Sequence, residues 1–199
     1  MTSEDLSGKA LDVFDVSFRK RIATSDPMAR YREVRACFAH LDAGQQMSMV
    51  DLSIQLPDIY LEKVDRSTMA HGLEVRVPFL DHELVDFVSR IPGYRKMPLG
   101  QKKWLLKKAL RGIVPDFVLD GPKTGFNVPF KHWLMGPLRG HFVDHLELFE
   151  RANPRVIQRS AIDQRFAMTE QGKADFSSLL WKLYSFTIWA NRFKIRFDT

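Results

Sequence analysis

Residues 65–81 have the sequence DRSTMAHGLEVRVPFLD, in which a helical pattern changes to an extended one and then returns to helix. A helical stretch ends near Gly72, a residue suited to the left-handed conformation that closes many helices. Residues 74–79 alternate charged and apolar side chains up to a proline, which predicts an extended segment. Asp81 is then placed to cap the next helix. The stretch therefore predicts two helices joined by an extended connection.

The chain on either side of this stretch also predicts helices, separated by turns that contain proline or glycine. They are expected at residues 3–18, 26–41, 43–55, 57–70, 81–91, 101–112, 130–134, 137–149, 160–171 and 176–193. Residues 115–129 contain three prolines and two glycines, which predicts a loop around at most one short helical turn. The fold class predicted from these patterns is mainly α.

Composition excludes several classes of protein. Hydrophobic residues make up 45% of the 199-residue chain and charged residues 27%, as in soluble globular domains. No apolar run reaches the roughly 18 to 20 residues that cross a bilayer, and the acidic, polar start of the chain does not resemble a signal peptide. The single cysteine, Cys37, is expected to be a half-buried thiol, which fits a cytoplasmic location.

The net charge of +6 leaves more than one kind of partner open. Basic residues concentrate at 102–103, 107–108 and 192–196, where they suit solvation, a phosphorylated ligand or nucleic acid. Charge alone does not choose among these interpretations.

Three further stretches carry recognisable sequence. They are QKKWLLK at residues 101–107, PKTGFNVP at residues 122–129, and the Trp133-Leu134 pair. Together with residues 65–81 they resemble the synthetase domain of the glutamine-dependent asparagine synthetases. The resemblance is firm over residues 57–139 and weaker elsewhere.

The resemblance implies a more specific fold. The chain, taken as a single domain over residues 1–199, would be the multi-helix C-terminal half of an adenine-nucleotide α-hydrolase-like (α/β) synthetase domain, with the parallel sheet half absent. Consistent with this, the 199 residues contain no GxGxxG, GxxxxGK[ST] or SGGxD pattern. The family's glutaminase domain begins with a nucleophilic cysteine, whereas Thr2 is the second residue here, so that domain is also expected to be absent.

The resemblance also implies a reaction and its substrates. A ligase of this family adenylates the side-chain carboxylate of aspartate with ATP and Mg, and ammonia then displaces AMP. Lys103 and Lys123 match the lysines that contact ATP and pyrophosphate in the family, and Lys123 is the predicted catalytic residue. The chemistry agrees, since fixed ammonium groups stabilise the negative charge that gathers on departing pyrophosphate. Whether the substrate is aspartate or another carboxylate stays open.

Several charged residues near residues 65–81 are predicted to have structural roles. A salt-bridge network is expected among Asp65, Arg66, Glu74, Arg76 and Asp81, because half-buried charges need partners. His71 is expected to cap or pack a helix end, and no metal site is predicted in the chain, because no second His or Cys lies at ligand spacing.

Two other functions are alternatives to the ligase. In the first, the chain would be a non-catalytic interaction half that pairs with a partner carrying the ATP-binding loop. In the second, it would be a basic helical protein that binds nucleic acid. The second is disfavoured because the lysines belong to the motifs above rather than to a recognition helix or an aromatic platform. Self-association is expected as well, with a stripe containing Trp181 and Trp189 as the contact, although most of that stripe is predicted to be core.

Overall fold

The computed structural model describes residues 9–122, 125 and 128–197. These residues are mainly helical, and they form no β-strand beyond two isolated bridges. This confirms the predicted mainly α class, while the absence of a sheet half stays a prediction. The contacts divide the chain into two compact units, one of residues 1–25 with 125–199 and the other of residues 26–124. The single-domain prediction likewise remains a prediction.

The first unit holds a well-defined helical core. After a 3-10 helix at Lys9–Val13, its helices are α1 (Val16–Ile22), α9 (Phe130–Met135), α10 (Arg139–Ala152), α11 (Arg159–Glu170) and α12 (Ser177–Arg192). Helices α9, α10 and α11 pack against α12. Phe142, Leu146 and Phe149 lie on the buried face of α10, and Leu180 and Leu183 lie on that of α12. The stripe on α12 is therefore chiefly core, as its helical spacing predicted.

The first predicted helix is interrupted. Instead of one helix through Phe18, the chain has the 3-10 helix, an isolated bridge between Phe14 and Ile157, and then α1. Asp15 begins α1, because its carboxylate accepts a hydrogen bond from the Ser17 N–H at 2.8 Å while its own N–H donates to Val156 O. The tertiary bridge and this cap together override the helical periodicity.

The second unit contains the motif residues. Its elements are α2 (Ala29–Cys37), α3 (Ala43–Val50), a π-helix (Asp51–Leu61), α4 (Glu62–Met69), a 3-10 turn (Pro78–Leu80), α5 (His82–Ser89), α6 (Gly93–Lys96), a second 3-10 turn (Pro98–Gly100), α7 (Trp104–Leu110) and α8 (Asp116–Asp120). The short α8 is the helical turn predicted inside the proline-rich loop.

Two predicted features at residues 65–81 are confirmed. Gly72 has φ +68° and follows the end of α4, and the Leu73 N–H donates to Thr68 O across that end. Asp81 caps α5, accepting hydrogen bonds from the N–H groups of Glu83 and Leu84 at 3.0 and 3.2 Å.

Two other predictions in this unit were wrong. Helix α7 begins at Trp104 rather than at residue 101, because the left-handed backbone of Lys103 cannot continue a right-handed helix. Cys37 is exposed rather than half-buried, at the end of a helix with no buried residue.

Candidate functional site

Lys103 occupies an unusual backbone position at the start of α7. Its φ and ψ are +58° and +22°, the left-handed region that a residue with a Cβ seldom adopts. Leu99 and Gly100 just before it also have positive φ, so three residues within five are left-handed. Such strain costs about 1–3 kcal/mol per non-glycine residue and is concentrated at functional sites. Lys103, one of the two lysines predicted from sequence, therefore has a strained backbone, as do Arg155 and Lys194 elsewhere in the described chain.

Lys103 also lies at the edge of an apolar groove of about 720 Å³. Apolar side chains form most of its wall, among them Leu84 and Phe87 of α5 and Leu105 of α7. Lys96 and Lys103 are the charged residues among those that line the groove. The groove therefore combines an apolar wall with two cationic groups and no lining carboxylate among the described residues.

Lys123, the predicted catalytic residue, lies outside the described residues. The described chain leads up to it through α8, Gly121 and Pro122. A Cβ built on Gly121 would lie 2.6 Å from the backbone oxygen of Phe117, so the chain leaves α8 by a path that only glycine allows without a shift. The exit from α8 is thus closely defined immediately before the lysine.

The predicted salt-bridge network around the motif does not form among the described residues. Arg66 pairs with Glu62 at 2.5 Å, and Arg76 pairs with its near neighbour Glu74 at 2.6 Å. Asp81 serves as a helix cap. Because these side chains are exposed, water satisfies their charges and the expected reason for a network is absent.

Asp65 lies in a separate small cleft. Residues of the π-helix and α4 form one side of the cleft, and Val75 and Val77 of the extended segment form the other, around a volume of about 360 Å³. The cleft thus brings one predicted residue, Asp65, close to the extended half of the motif.

The remaining polar residue considered in the sequence motif is His71. His71 Nδ1 lies 3.4 Å from Ser67 O near the end of α4, which fits a capping role. Within the described ranges, no group of three or more His, Cys, Asp or Glu side chains is arranged to hold a metal ion.

Arg111, which sequence reasoning did not single out, links the end of α7 to α8. Its guanidinium donates to Asp116 Oδ1 and to Asp120 Oδ1, each at 2.6 Å. The hydrogen bond from Arg111 lowers the pKa of Asp120, and both carboxylates raise the pKa of Arg111. The signal available in the sequence was the spacing of Asp116 and Asp120, which puts both carboxylates on one face of a helical turn.

Comparison with known proteins places both units of the chain in one family. The chain matches the sequence profile of the family described as asparagine synthase over residues 6–191. Asparagine synthetase (glutamine-hydrolyzing) 1 of Bacillus subtilis is 33% identical over 182 residues, which cover 89% of the chain and 28% of that protein. A putative asparagine synthetase of Mycobacterium tuberculosis is 34% identical over 150 residues, covering 74% of the chain and 22% of the relative.

The described residues have a mainly helical fold, and the relatives reported above are asparagine synthetases. The chain belongs to the asparagine synthase family. It spans about 28% of the length of the Bacillus subtilis relative. No solved structure matches the chain. Within the described residues, no helix combines the length and apolar character needed to cross a membrane.

Proposed function

We propose that the chain contributes to an ATP-dependent ligase that makes asparagine from aspartate, with ammonia supplied directly or from glutamine. The observation that carries this proposal is the left-handed Lys103 at the edge of the groove, in a chain whose residues 6–191 match the asparagine synthase family. A strained, exposed lysine needs a reason, and binding of phosphate groups supplies one.

The proposed reaction has two steps. An oxygen of the aspartate β-carboxylate attacks the α-phosphorus of ATP, and the bond from that phosphorus to the pyrophosphate oxygen breaks, giving β-aspartyl-AMP and pyrophosphate. Ammonia then attacks the acyl carbon, the carbon–oxygen bond to AMP breaks, and the nitrogen loses one proton. Charge develops on pyrophosphate in the first step, which is where ammonium groups stabilise the transition state.

Lys103 and Lys123 are the residues to which we assign that stabilisation. Lys103 precedes α7, and Lys123 follows α8 in the sequence, so the two lysines belong to different stretches of the chain. Two cations from different stretches can contact more than one phosphate group at once. Lys103 is exposed, so its ammonium is accessible to a phosphate ligand.

No group of three or more His, Cys, Asp or Glu side chains among the described residues is arranged to hold a metal ion, so we place no magnesium ligand there and derive no step through the ion. Among the described residues, Lys103 is the group that we assign to the phosphate groups of ATP.

Titration with pyrophosphate tests whether Lys103 contacts phosphate groups. We expect the 199-residue chain to bind pyrophosphate in a calorimetric titration. Lys103→Gly should bind it about tenfold more weakly, because roughly one charge-assisted contact is lost. Glycine adopts the left-handed conformation freely, so the fold should be no less stable than wild type. Equal affinity of wild type and Lys103→Gly would refute the assignment of Lys103.

The ligase role is tested by replacing the matched segment of the Bacillus subtilis relative with this chain and measuring asparagine formation. Lys123→Ala should then lower turnover by about 10² or more, the scale for one preorganised donor. Lys123→Arg should restore it only in part, because a planar guanidinium does not replace a compact ammonium. Unchanged turnover in Lys123→Ala would show that Lys123 takes no part.

A non-catalytic interaction role is the second candidate, and the exposed apolar side chains of the second unit favour it. Leu99 is 98% exposed and Phe117 is 79% exposed. If the chain binds a protein partner but neither pyrophosphate nor ATP, this candidate replaces the first.

A further inference from the structure

We infer that the groove beside Lys103 binds an amphipathic helix of a protein partner, in which Asp or Glu residues border the apolar stripe. The groove lies within the second unit, and its wall comes from α3, α5, α6 and α7 with parts of the chain between them. This inference goes beyond the proposed ligase, because a partner helix can occupy the groove whether or not Lys103 also contacts phosphate groups.

The helices of the groove wall have apolar faces that are not buried. Within the described chain, neither α5 nor α7 has a buried side chain. Leu84 and Val88 line the groove from α5, and Leu105 and Ala109 line it from α7, each pair at a spacing of four residues that puts both side chains on one helical face. Such faces gain free energy when apolar surface covers them. The occupant of the groove therefore needs an apolar face of its own.

The charges around the groove define the rest of the occupant. Residues 87–115, which supply most of the wall, contain eight Lys or Arg residues and no Asp or Glu. Arg90 and Arg111 pair with nearby carboxylates, whereas the other six cations form no ion pair among the described residues. Lys96 and Lys103, which line the groove, are two of these six. An occupant with carboxylates beside its apolar face complements this charge.

The shape of the groove favours a helix over a lipid bilayer. The groove is a recess of about 720 Å³ bounded by several helices, which a planar lipid surface does not enter. An amphipathic helix enters such a groove with apolar side chains at positions i, i+3, i+4 and i+7. A second copy of this chain would bring the same eight cations, and like charges at an interface oppose association. We therefore expect a second copy to bind more weakly than an acidic helix.

Three synthetic peptides of about 18 residues, long enough to form a helix, test the inference. The first has Leu at positions i, i+3, i+4 and i+7 with Glu on both sides of the stripe. The second replaces each Glu by Lys, and the third keeps Glu but replaces each Leu by Gln. Fluorescence anisotropy of the labelled peptides is measured at chain concentrations where sedimentation shows a monomer.

The first peptide should bind at least about tenfold more tightly than either of the others, because it alone has both the apolar stripe and the complementary charge. Added salt should weaken its binding, since the cations around the groove are screened. Binding of the Lys peptide that is equal to or tighter than that of the Glu peptide would overturn the inference.

Variants of the chain locate the binding surface. Phe87→Ser should weaken binding of the first peptide by about tenfold, because Phe87 is a mainly exposed part of the groove wall. Ile113→Ser is the matched control, since Ile113 is exposed in the same unit but does not line the groove. Lys96→Gln should weaken binding by about threefold and reduce its salt dependence. Lys63→Gln is the control for charge, because Lys63 lies on α4 and does not line the groove.

Two further measurements separate the alternatives. Unchanged peptide binding in Phe87→Ser would overturn the inference. Binding to phosphatidylserine vesicles that Phe87→Ser abolishes, with no binding of the first peptide, would overturn it in favour of a bilayer. Titration of the same chain with pyrophosphate distinguishes this inference from the proposed function. Loss of peptide binding alone counts against the partner helix, whereas peptide binding without pyrophosphate binding supports the partner helix and counts only against the phosphate role of Lys103.

Discussion

At the residue scale, Asp42 and Gly93 show how a single close contact organises the second unit. Asp42 accepts hydrogen bonds from the N–H of Gln45 at 2.9 Å and from the N–H of Gly93 at 2.7 Å. It forms a capping box with Gln45, and these hydrogen bonds lower its pKa. One carboxylate therefore joins the start of α3 to the start of α6.

Gly93→Ala is expected to destabilise the second unit. A Cβ at this position would lie 2.6 Å from Asp42 Oδ1 and 3.1 Å from Gly44 Cα, so the cap or the backbone must shift. Overpacking of this kind costs about 1–3 kcal/mol. The measurement is the denaturant midpoint of the chain. Gly140→Ala is the control, because nothing lies within 4 Å of its Cβ inside α10, and alanine there should be neutral or stabilising.

His145 is expected to make the stability of the first unit depend on pH. His141 and His145 have ring centroids 4.5 Å apart on α10, and His141 Nδ1 lies 2.7 Å from the Tyr184 hydroxyl on α12. Burial lowers the pKa of His145, and the neighbouring His141 lowers it further, against an opposing effect of Asp144. Asn191 contacts His145 from α12. The packing therefore favours the neutral imidazole.

The sign of the effect follows from that lowered pKa. At a pH above about 6.5, the ordinary pKa of histidine, His145 is neutral in both the folded and the unfolded chain. The packing of its neutral imidazole then contributes fully to the free energy of unfolding. As the pH falls from there towards the folded pKa, the unfolded chain takes up protons first, so the free energy of unfolding decreases. Urea unfolding between pH 5 and pH 8 measures this. His145→Gln should flatten the slope, and an identical slope in that variant would contradict the assignment.

At the scale of elements, the sequence predicted the first unit better than the second. Helices α10, α11 and α12 begin and end within about three residues of their predicted limits, because their apolar stripes pack on one core. The same holds for α5, where Asp81 is a strong local cap. Where periodicity, capping and burial agree, sequence patterns are sufficient.

The long helical stretch from Ala43 to Met69 shows why other elements could not be predicted. The sequence predicted a break at Pro57, yet α3, the π-helix and α4 follow one another without a break, with Pro57 inside the π-helix. A proline lacks the N–H of a regular turn and clashes with the preceding carbonyl, and the wider π spacing accommodates it without ending the helix. This adjustment depends on the whole stretch, so a local proline rule misses it.

The candidate site shows the same limit. Its two lysines are predicted from short motifs, but the left-handed backbone of Lys103 has no local signature, since lysine is not a residue that favours it. The Arg111 contacts were missed because the chain turns directly after α7. The turn brings Arg111 to Asp116 and Asp120, which are five and nine positions further along the chain, and these separations are not regular helical spacings.

At the scale of the whole molecule, buried and exposed apolar residues are distributed unequally between the two units. Fifteen of the seventeen buried hydrophobic residues among those described belong to the first unit, and only Ile54 and Leu119 belong to the second. Of the 23 large hydrophobic residues described as exposed, 17 belong to the second unit. The second unit therefore leaves much apolar area in contact with water, which monomeric proteins seldom tolerate.

This imbalance changes the expected site of self-association. The sequence predicted a contact through Trp181 and Trp189, but Trp181 is partly buried and stacked on Phe130, with ring centroids 4.7 Å apart. Trp189 is 47% exposed. The second unit, with Phe87 66% exposed beside the groove, offers a larger apolar surface. Self-association is therefore better supported through the second unit.

We expect the 199-residue chain to self-associate as its concentration rises, because association removes this apolar area from water. Phe87→Ser should shift the association to higher concentration in sedimentation velocity. Phe193→Ser is the matched control, since Phe193 is 61% exposed but belongs to the first unit, and it should change little. A greater effect of Phe193→Ser would indicate that the chain self-associates through α12, as the sequence predicted. A compact wild-type monomer at every concentration, with no binding of an apolar dye, would show that the exposed area drives no association.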